Sequence, residues 1–272
     1  MIVGTTRIAA VIGWPVEHSR SPAILNAAFA ATHTDAVLVP VNAPPEAFVT
    51  VIHGLVAMRA LGASVTIPHK LAAAALCDEL SPAARAIVAV NCLHFADDRI
   101  VGHNTDADGF VDGLRAAGHA PAHATLLGAG GAARAVAYGL AAIGCEVSVI
   151  ARRPDAVEWT RALAWSDDAL RTAFARTDLV VDATPIGLGG ADEAALVDAL
   201  PLDALQATAT VATLVYHRAT LLAERAGVRG HSILDGRAML VHQGARALEI
   251  WTGRAAPLDV MARALDDSLR GT

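Results

Sequence analysis

A glycine-rich run, Gly128-Ala129-Gly130-Gly131-Ala132-Ala133, stands between a short apolar stretch, Thr125 to Leu127, and an alanine-rich one, Ala132 to Ile143. Glycines packed this closely weaken both helix and strand, so they mark a turn joining a strand to a helix. In that setting the missing Cβ atoms let the backbone approach a pyrophosphate. The helix N-terminus behind it offers unpaired N–H groups and a favourable dipole to the charge. Ala133 in the third fingerprint position is an accepted variant. A second strand, Glu146 to Ile150, follows within about 30 residues, the order a dinucleotide-binding βαβ unit requires. The bland alternative is a tight turn with no ligand. Candidate cofactor residues here are Gly128, Ala129, Gly130, Gly131 and Ala132.

A unit of this kind that takes NAD carries Asp or Glu at the end of the second strand, about 20 residues on, to bond the ribose hydroxyls. Ala151-Arg152-Arg153 occupies that place. Paired guanidiniums clamp a 2′-phosphate bidentately, and the missing acid removes the repulsion that would exclude it. The expected cofactor is therefore NADP, held through Arg152 and Arg153. A solvated pair of surface arginines is the alternative, and Asp155 is near enough in sequence to touch a ribose.

The chain is 272 residues long, more than one typical domain of about 100 to 150 residues. Strand-like runs (Ile8 to Ile12, Ala36 to Val41, Ala63 to Thr66) alternate with helical stretches (Pro22 to Ala31, Pro45 to Leu61, Leu71 to Leu80), which predicts a largely parallel α/β sheet. Leu93 to Phe95 and Ile100 to Val101, separated by Asp97 and Asp98, read as a hairpin. A new α/β series opens near Ala124 and runs through strands Leu179 to Asp182 and Thr210 to Val215. Two amphipathic helices, Ala238 to Trp251 and Asp259 to Leu269, close the chain.

Net charge is −6, the 21 Lys and Arg residues are scattered and aromatics make up only 4%, so nucleic acid and anionic membranes are not expected partners. No uncharged apolar run approaches the roughly 20 residues a membrane span needs. Cys77, Cys92 and Cys145 are odd in number and far apart, as reduced cytosolic thiols would be. The expectation is a soluble cytoplasmic protein. No metal is expected: no HExxH pair occurs, and His33, His53, His119, His123 and His231 are isolated. A GxSxG nucleophile elbow is also missing.

Four further motifs set polar residues in apolar surroundings. Gly13-Trp14-Pro15-Val16-Glu17-His18-Ser19-Arg20-Ser21-Pro22 places two hydroxyls just before a helix, where they suit either capping or an anion. Gly62-Ala63-Ser64-Val65-Thr66-Ile67-Pro68-His69-Lys70 ends a strand on a proline turn and a lysine. The others are Ala89-Val90-Asn91-Cys92 and Gly102-His103-Asn104-Thr105-Asp106-Ala107-Asp108-Gly109-Phe110. Together with Asp182-Ala183-Thr184-Pro185-Ile186-Gly187 and the segment from Gly236 to Gly244, they resemble the shikimate dehydrogenase family over nearly the whole chain.

The resemblance implies an α/β protein of two domains. Residues 1–106 plus 237–272 would form the substrate domain and residues 107–236 a Rossmann-type NADP domain, with the active cleft at their junction. It implies Lys70 and Asp106 as the catalytic pair, with Ser19 and Ser21 on a substrate carboxylate. Thr66, Asn91, Tyr216 and Gln243 would bind the ring, and Thr184, Leu214 and Gly236 would lie on the cofactor. The implied activity is the reversible, NADP-dependent reduction of 3-dehydroshikimate to shikimate, by a monomer or homodimer.

Some positions depart from the family pattern. Ser64 stands where many members have Asn, Cys92 where Thr is usual, Ala107 where Gly is usual, and Ala151 where an Asn commonly precedes the arginine. Val211 to Arg218 lacks the usual Asp before and Pro after the tyrosine. These departures leave quinate or an amino-substituted analogue open as the ring acid, and leave open a non-catalytic NADP-binding regulator of the same fold.

Overall fold

The computed structural model describes residues 2–97, 99–184 and 193–271. The chain opens with β1 (Arg7–Gly13), α1 (Ser21–Ala31), β2 (Ala36–Asn42), α2 (Phe48–Ala57) and β3 (Gly62–Val65). Next come α3 (Lys70–Leu76), β4 (Glu79–Leu80), α4 (Pro82–Ile87), the hairpin β5 (Cys92–Ala96) and β6 (Arg99–His103), and α5 (Asp106–Ala116). A second series follows: β7 (His123–Leu127), α6 (Gly131–Ala142), β8 (Glu146–Ala151), β9 (Ala162–Ala164), α7 (Asp167–Phe174), β10 (Leu179–Asp182), α8 (Glu193–Asp198), β11 (Thr210–Thr213), α9 (Leu221–Val228) and β12 (Ser232–Leu234). Helices α10 (Arg237–Thr252) and α11 (Leu258–Arg270) end the chain.

These elements form two compact units. The first comprises Met1–Gly109 with Leu240–Thr272, and the second Phe110–Met239. In the first, the strand order is β2-β1-β3-β5-β6-β4. Strands β2, β1 and β3 run parallel, and the hairpin strand β5 pairs antiparallel with both β3 and β6. One face is covered by α1, α10 and α11, whose Ile24, Leu25, Phe29, Leu248, Trp251 and Met261 pack together; the other buries Phe48, Ile52 and Leu55 of α2. The second unit has strand order β12-β11-β10-β7-β8-β9, every pairing parallel. Its central strands are near-continuous apolar runs such as Leu179-Val180-Val181, as a sheet covered on both faces requires.

Several elements differ from the sequence reading, each for a local reason. The helix expected over Pro45 to Leu61 begins as a 3-10 turn, Pro45–Ala47, and ends at Ala57, because Arg59 turns the chain at φ 54° and Leu61 donates its amide to the Ile8 carbonyl. The helix expected over Leu71 to Leu80 stops at Leu76. Asp78 exchanges hydrogen bonds with Ile100 through its amide and its carboxylate, drawing Glu79–Leu80 into the sheet beside Val101 and Gly102. The strand expected to reach Val215 ends at Thr213, whose hydroxyl accepts the Val215 amide. The hairpin pairs Ala96 with Arg99; Asp97 takes φ 50°, and Asp98 lies outside the described residues. Among the described residues no helix is long and apolar enough to cross a membrane.

One contact shows how the C-terminal return is fixed. The buried Trp251 indole donates to the Leu93 carbonyl at 2.9 Å across 158 residues of sequence, and a Cβ on Gly62 would lie 2.2 Å from that same carbonyl. Leu93 also pairs with Ala63 in the β3–β5 ladder, so replacing Trp251 by Phe removes one hydrogen bond at this carbonyl, worth about 0.5–1.5 kcal/mol, together with part of the ring's packing. The expected outcome is a lower urea midpoint for Trp251→Phe than for wild type; an unchanged midpoint would contradict this account.

Candidate active and nucleotide sites

In the first unit the sheet register delivers four polar segments to one end. Pairing of Ile12 with Val65 sets the end of β1 beside the end of β3, while Ser64–Cys92 and Cys92–His103 bring the start of β5 and the end of β6 alongside. The residues just beyond those ends include Thr66, Asn91, Asn104, Thr105 and Asp106. A side chain on Gly13 could not be accommodated, since its Cβ would lie 2.5 Å from the Thr66 methyl.

Lys70 is the first residue of α3 and Asp106 the first of α5. Lys70 Nζ donates to Asp106 Oδ2 at 2.5 Å, with the two side chains only 24% and 10% exposed. The other carboxylate oxygen, Oδ1, accepts from Asn91 Nδ2 at 2.8 Å. Asn91 also donates to Thr105 Oγ1 at 3.0 Å and accepts the Thr105 amide at 2.7 Å. Asn104 donates to the Ala89 carbonyl and accepts the Asp106 amide, so residues 89–91 and 104–106 are laced together by side chains. The carboxylate also sits at the start of α5, where the helix dipole favours negative charge. Position α3 is held in turn by the amide of Val90, which donates to the Lys70 carbonyl. His69 beneath it is 2% exposed, stacks on Phe48 at 4.4 Å and contacts the Ala43 carbonyl through Nε2.

Neither serine caps α1 from the N-cap position, which Arg20 occupies without a side-chain cap. Ser21 is buried and its amide donates to Ser19 Oγ at 3.3 Å. The loop carrying them is tied down by Glu17, which accepts the Val16 amide and the Asn42 side chain. Gln243 lies in α10 with its side chain donating to the Leu240 carbonyl; a Cβ on Gly109 would lie 2.6 Å from its backbone nitrogen, so α10 crosses α5 one turn beyond Asp106. The first unit thus joins Lys70, Asn91 and Asp106 directly and brings Gln243 against the helix that carries Asp106.

In the second unit Gly128 takes φ +99°, accessible to glycine without strain, and a Cβ there would lie 3.1 Å from the Ala183 carbonyl and 3.2 Å from the Thr184 methyl. Its amide donates to the Ile150 carbonyl of β8. Gly130 and Gly131 are exposed, and Cβ atoms built on them would meet nothing within 4 Å, which leaves room for a ligand over the start of α6, with Ala132 in its first turn. Arg152 and Arg153 follow β8, both exposed and without a hydrogen bond or ion pair among the described residues. Gly236 donates to the Val215 carbonyl, and a Cβ there would lie 2.3 Å from the Leu214 carbonyl, so these two cofactor candidates adjoin each other. Tyr216 belongs to this unit; its ring meets His217 edge-on at 5.7 Å, and its carbonyl accepts from Arg237. Pro185, Ile186 and Gly187 lie outside the described residues.

Three residues here had no role in the sequence reading. Asn104 and Thr105 brace Asp106, and their signal was the crowding of polar residues around one acid. Asp182, only 3% exposed, ends β10 beside Leu127 and accepts both the amide and the hydroxyl of Thr184 through Oδ1. Burial pushes its carboxyl up, against the Thr184 hydrogen bonds that favour its charge, with Glu193 adding to the rise. Burial likewise pushes the Cys77 and Cys145 thiols up to about 11, which makes them poor nucleophiles.

Counted along the second unit, the strand order is 6-5-4-1-2-3, that of a doubly wound dinucleotide-binding fold with its glycine turn after the first strand. The chain is therefore a dinucleotide-binding α/β protein that carries a second α/β unit with a partly buried Lys–Asp pair. Residues 11–93 match the shikimate dehydrogenase substrate binding domain and residues 236–265 the shikimate 5′-dehydrogenase C-terminal domain. The chain is 40% identical to the shikimate dehydrogenase (NADP(+)) of Methanopyrus kandleri, with 97% of each chain covered. Among solved structures it is similar to the shikimate dehydrogenase of Aquifex aeolicus (TM-score 0.88, 30% identity, 97% of this chain and 99% of that one). It is also similar to the shikimate 5-dehydrogenase of Thermus thermophilus in complex with NADP(H) and shikimate (TM-score 0.85, 32% identity, 96% and 99%). The chain belongs to the shikimate dehydrogenase family.

Asp182 yields a signed expectation. Its folded carboxyl lies above the ordinary carboxylate value, so the native state holds that proton more tightly and loses stability as pH rises through the folded value. Asn keeps the acceptor oxygen for Thr184 without the charge. Asp182→Asn should raise the melting midpoint at pH 8, with the gain shrinking towards about pH 4; a gain independent of pH would contradict this.

Proposed function

We propose that this protein is an NADP-dependent shikimate dehydrogenase that interconverts shikimate and 3-dehydroshikimate, with Lys70 and Asp106 as its catalytic pair. The observation that carries the proposal is the laced Lys70–Asp106–Asn91 cluster beside the Thr66 segment, in a chain whose other unit has a glycine turn and two uncommitted arginines. Residues 1–106 with 237–272 serve as the substrate domain and residues 107–236 as the NADP domain.

The second unit fits the cofactor. The open space over Gly130 and Gly131 admits a pyrophosphate against the amides of α6, and Arg152 and Arg153 have no competing carboxylate partner among the described residues. Gly128, Ala129 and Ala132 complete that turn, with Thr184, Leu214 and Gly236 on the nicotinamide half. When bound, the nicotinamide supplies the hydride acceptor or donor.

The chain's own residues orient the acid and move one proton. Ser19 and Ser21 hold the carboxylate, while Thr66, Asn91, Tyr216 and Gln243 bond ring hydroxyls. Lys70 Nζ takes the hydroxyl proton as the alcohol is oxidised and returns it as the ketone is reduced, worth about 10²- to 10⁴-fold in rate. Asp106 holds Nζ at the reacting oxygen, and Asn91 fixes the carboxylate that does so. A monomer or homodimer in the cytoplasm is the working state, consistent with three free cysteines.

A second reading, a quinate or amino-analogue dehydrogenase, is favoured by one observation. Ser64, where many members have Asn, is buried in β3 two residues before Thr66, so the wall there is smaller. Absorbance at 340 nm with shikimate, quinate or the amino analogue, each with NADP and with NAD, decides between them. Rapid NADP reduction with shikimate is expected; reduction with none of the acids would overturn both readings. Lys70→Ala should lower turnover at least a hundredfold with little change in NADP affinity, measured by calorimetry, and near-normal turnover would remove Lys70 from its role.

A further inference from the structure

The Ala129 carbonyl in the glycine turn is bonded by an aromatic residue that lies outside the motifs of the sequence analysis. Trp159 lies between the 3-10 turn Pro154–Ala156 and β9, a few residues beyond Arg152 and Arg153. Its indole Nε1 donates to the Ala129 carbonyl at 3.2 Å, and its half-buried ring packs beside Ala129 on the core cluster that contains Leu126, Val136 and Leu140.

A phosphate-binding turn has a particular difficulty. Its amides must stay unpaired and point outward, so the usual internal hydrogen bonds cannot fix its shape. Here the Gly128 amide is anchored to Ile150 on one side, and the Gly130 carbonyl joins α6 by accepting the Arg134 amide. Between them the peptide of Ala129 joins Gly128, at φ +99°, to the extended Gly130, at φ −75° and ψ −175°. Rotation of that one peptide would swing a carbonyl towards the open space where phosphate would lie. The Trp159 N–H prevents it by holding the carbonyl inward.

We propose that Trp159 is a positioning residue for the cofactor, fixing the Ala129 peptide and linking the glycine turn to the segment that carries Arg152 and Arg153. The inference rests on the assignment of the second unit as the NADP site. It separates two kinds of contribution. The arginines act on the 2′-phosphate alone, so their loss weakens NADPH and leaves NADH nearly as it was. Trp159 acts on the pyrophosphate turn common to both cofactors, so its loss weakens both.

The test uses Trp159→Phe, which keeps an aromatic ring at the position but removes the N–H and part of the packing, beside Arg152→Ala, on the full chain. Binding of NADPH and of NADH is measured by titration calorimetry, with the melting midpoint of the ligand-free protein as the control for folding. Trp159→Phe should weaken both cofactors by a similar factor of about three- to tenfold, the loss of one neutral hydrogen bond. The KM for the ring acid should be unchanged, and Arg152→Ala should weaken NADPH selectively. Unchanged affinity for both cofactors in Trp159→Phe overturns the inference, as does a loss confined to NADPH. If the wild-type protein binds neither cofactor, the NADP-site assignment itself fails, an outcome distinct from the other two.

Discussion

Asp106 is an acid with 7% exposure, and much of the first unit is arranged around the cost of keeping it there. Removing a carboxylate from water costs several kcal/mol unless charge and hydrogen bonds replace the lost hydration. Lys70 compensates one oxygen, Asn91 the other, and the first turn of α5 adds its dipole. Each compensating group brings a condition. Asn91 reaches Asp106 only if β5 begins at Cys92 opposite both Ser64 and His103, since a slip of one residue would turn its side chain to the other face of the sheet. Lys70 reaches it only if α3 starts directly after the turn at His69, which is itself seated on Phe48 and Ala43. The chemistry of the site and the register of the sheet are thus one constraint.

The second unit meets the opposite problem. In the proposed NADP site the surface is largely backbone, so specificity would come from what is missing: Cβ atoms at Gly130 and Gly131, and an acid directly after β8. A surface of unpaired amides needs support from behind, and it has three supports of different kinds. The amide of Gly128 is tied to Ile150, the carbonyl of Ala129 to Trp159, and Ala183 and Thr184 close on Gly128 from the neighbouring strand. Asp182 shapes that last support through Thr184, at the expense of burying a carboxyl.

Elements whose periodicity and local chemistry agreed were legible in the sequence. The span Leu179 to Asp182 is a run of buried apolar residues ending on an acid, and it is observed as β10 with those bounds. What the sequence reading missed was decided by contacts distant in sequence. Glu79–Leu80 reads as the tail of an alanine-rich helix, and only the pairing with Val101 and Gly102 makes it a strand. Helix α5 went unread because Asp106, Asp108 and Gly109 at its start look like a loop. In the structure Gly109 is where α10 crosses and the acids sit at the favourable helix end. For the site, Lys70 and Asp106 could be named by motif, but the bracing by Asn104 and Thr105 depends on a turn geometry that spacing does not encode. Trp159 was invisible for the same reason: its partner is a backbone carbonyl 30 residues away.

The C-terminal helices explain why the first unit must be discontinuous in sequence. Ile24, Leu25 and Phe29 of α1 are buried against residues of α10 and α11, not against the sheet alone. A chain of residues 1–109 would leave that apolar face open, and an open face of packed side chains is a loss of burial on the scale that separates folded from unfolded domains. Gly62, Gly109 and the Leu93 carbonyl mark where α10 enters, each requiring the later helix to occupy space left by the earlier segment. Gln243 is delivered by the same helix, one turn from Asp106, so the piece that completes the core also completes the candidate substrate site. Synthesised in order, the chain emits nearly the whole second unit, up to the first turn of α10, before the rest of this helix exists. The nucleotide-binding unit is thus able to fold first, and the Lys70–Asp106 site gains its last wall only when the chain end returns.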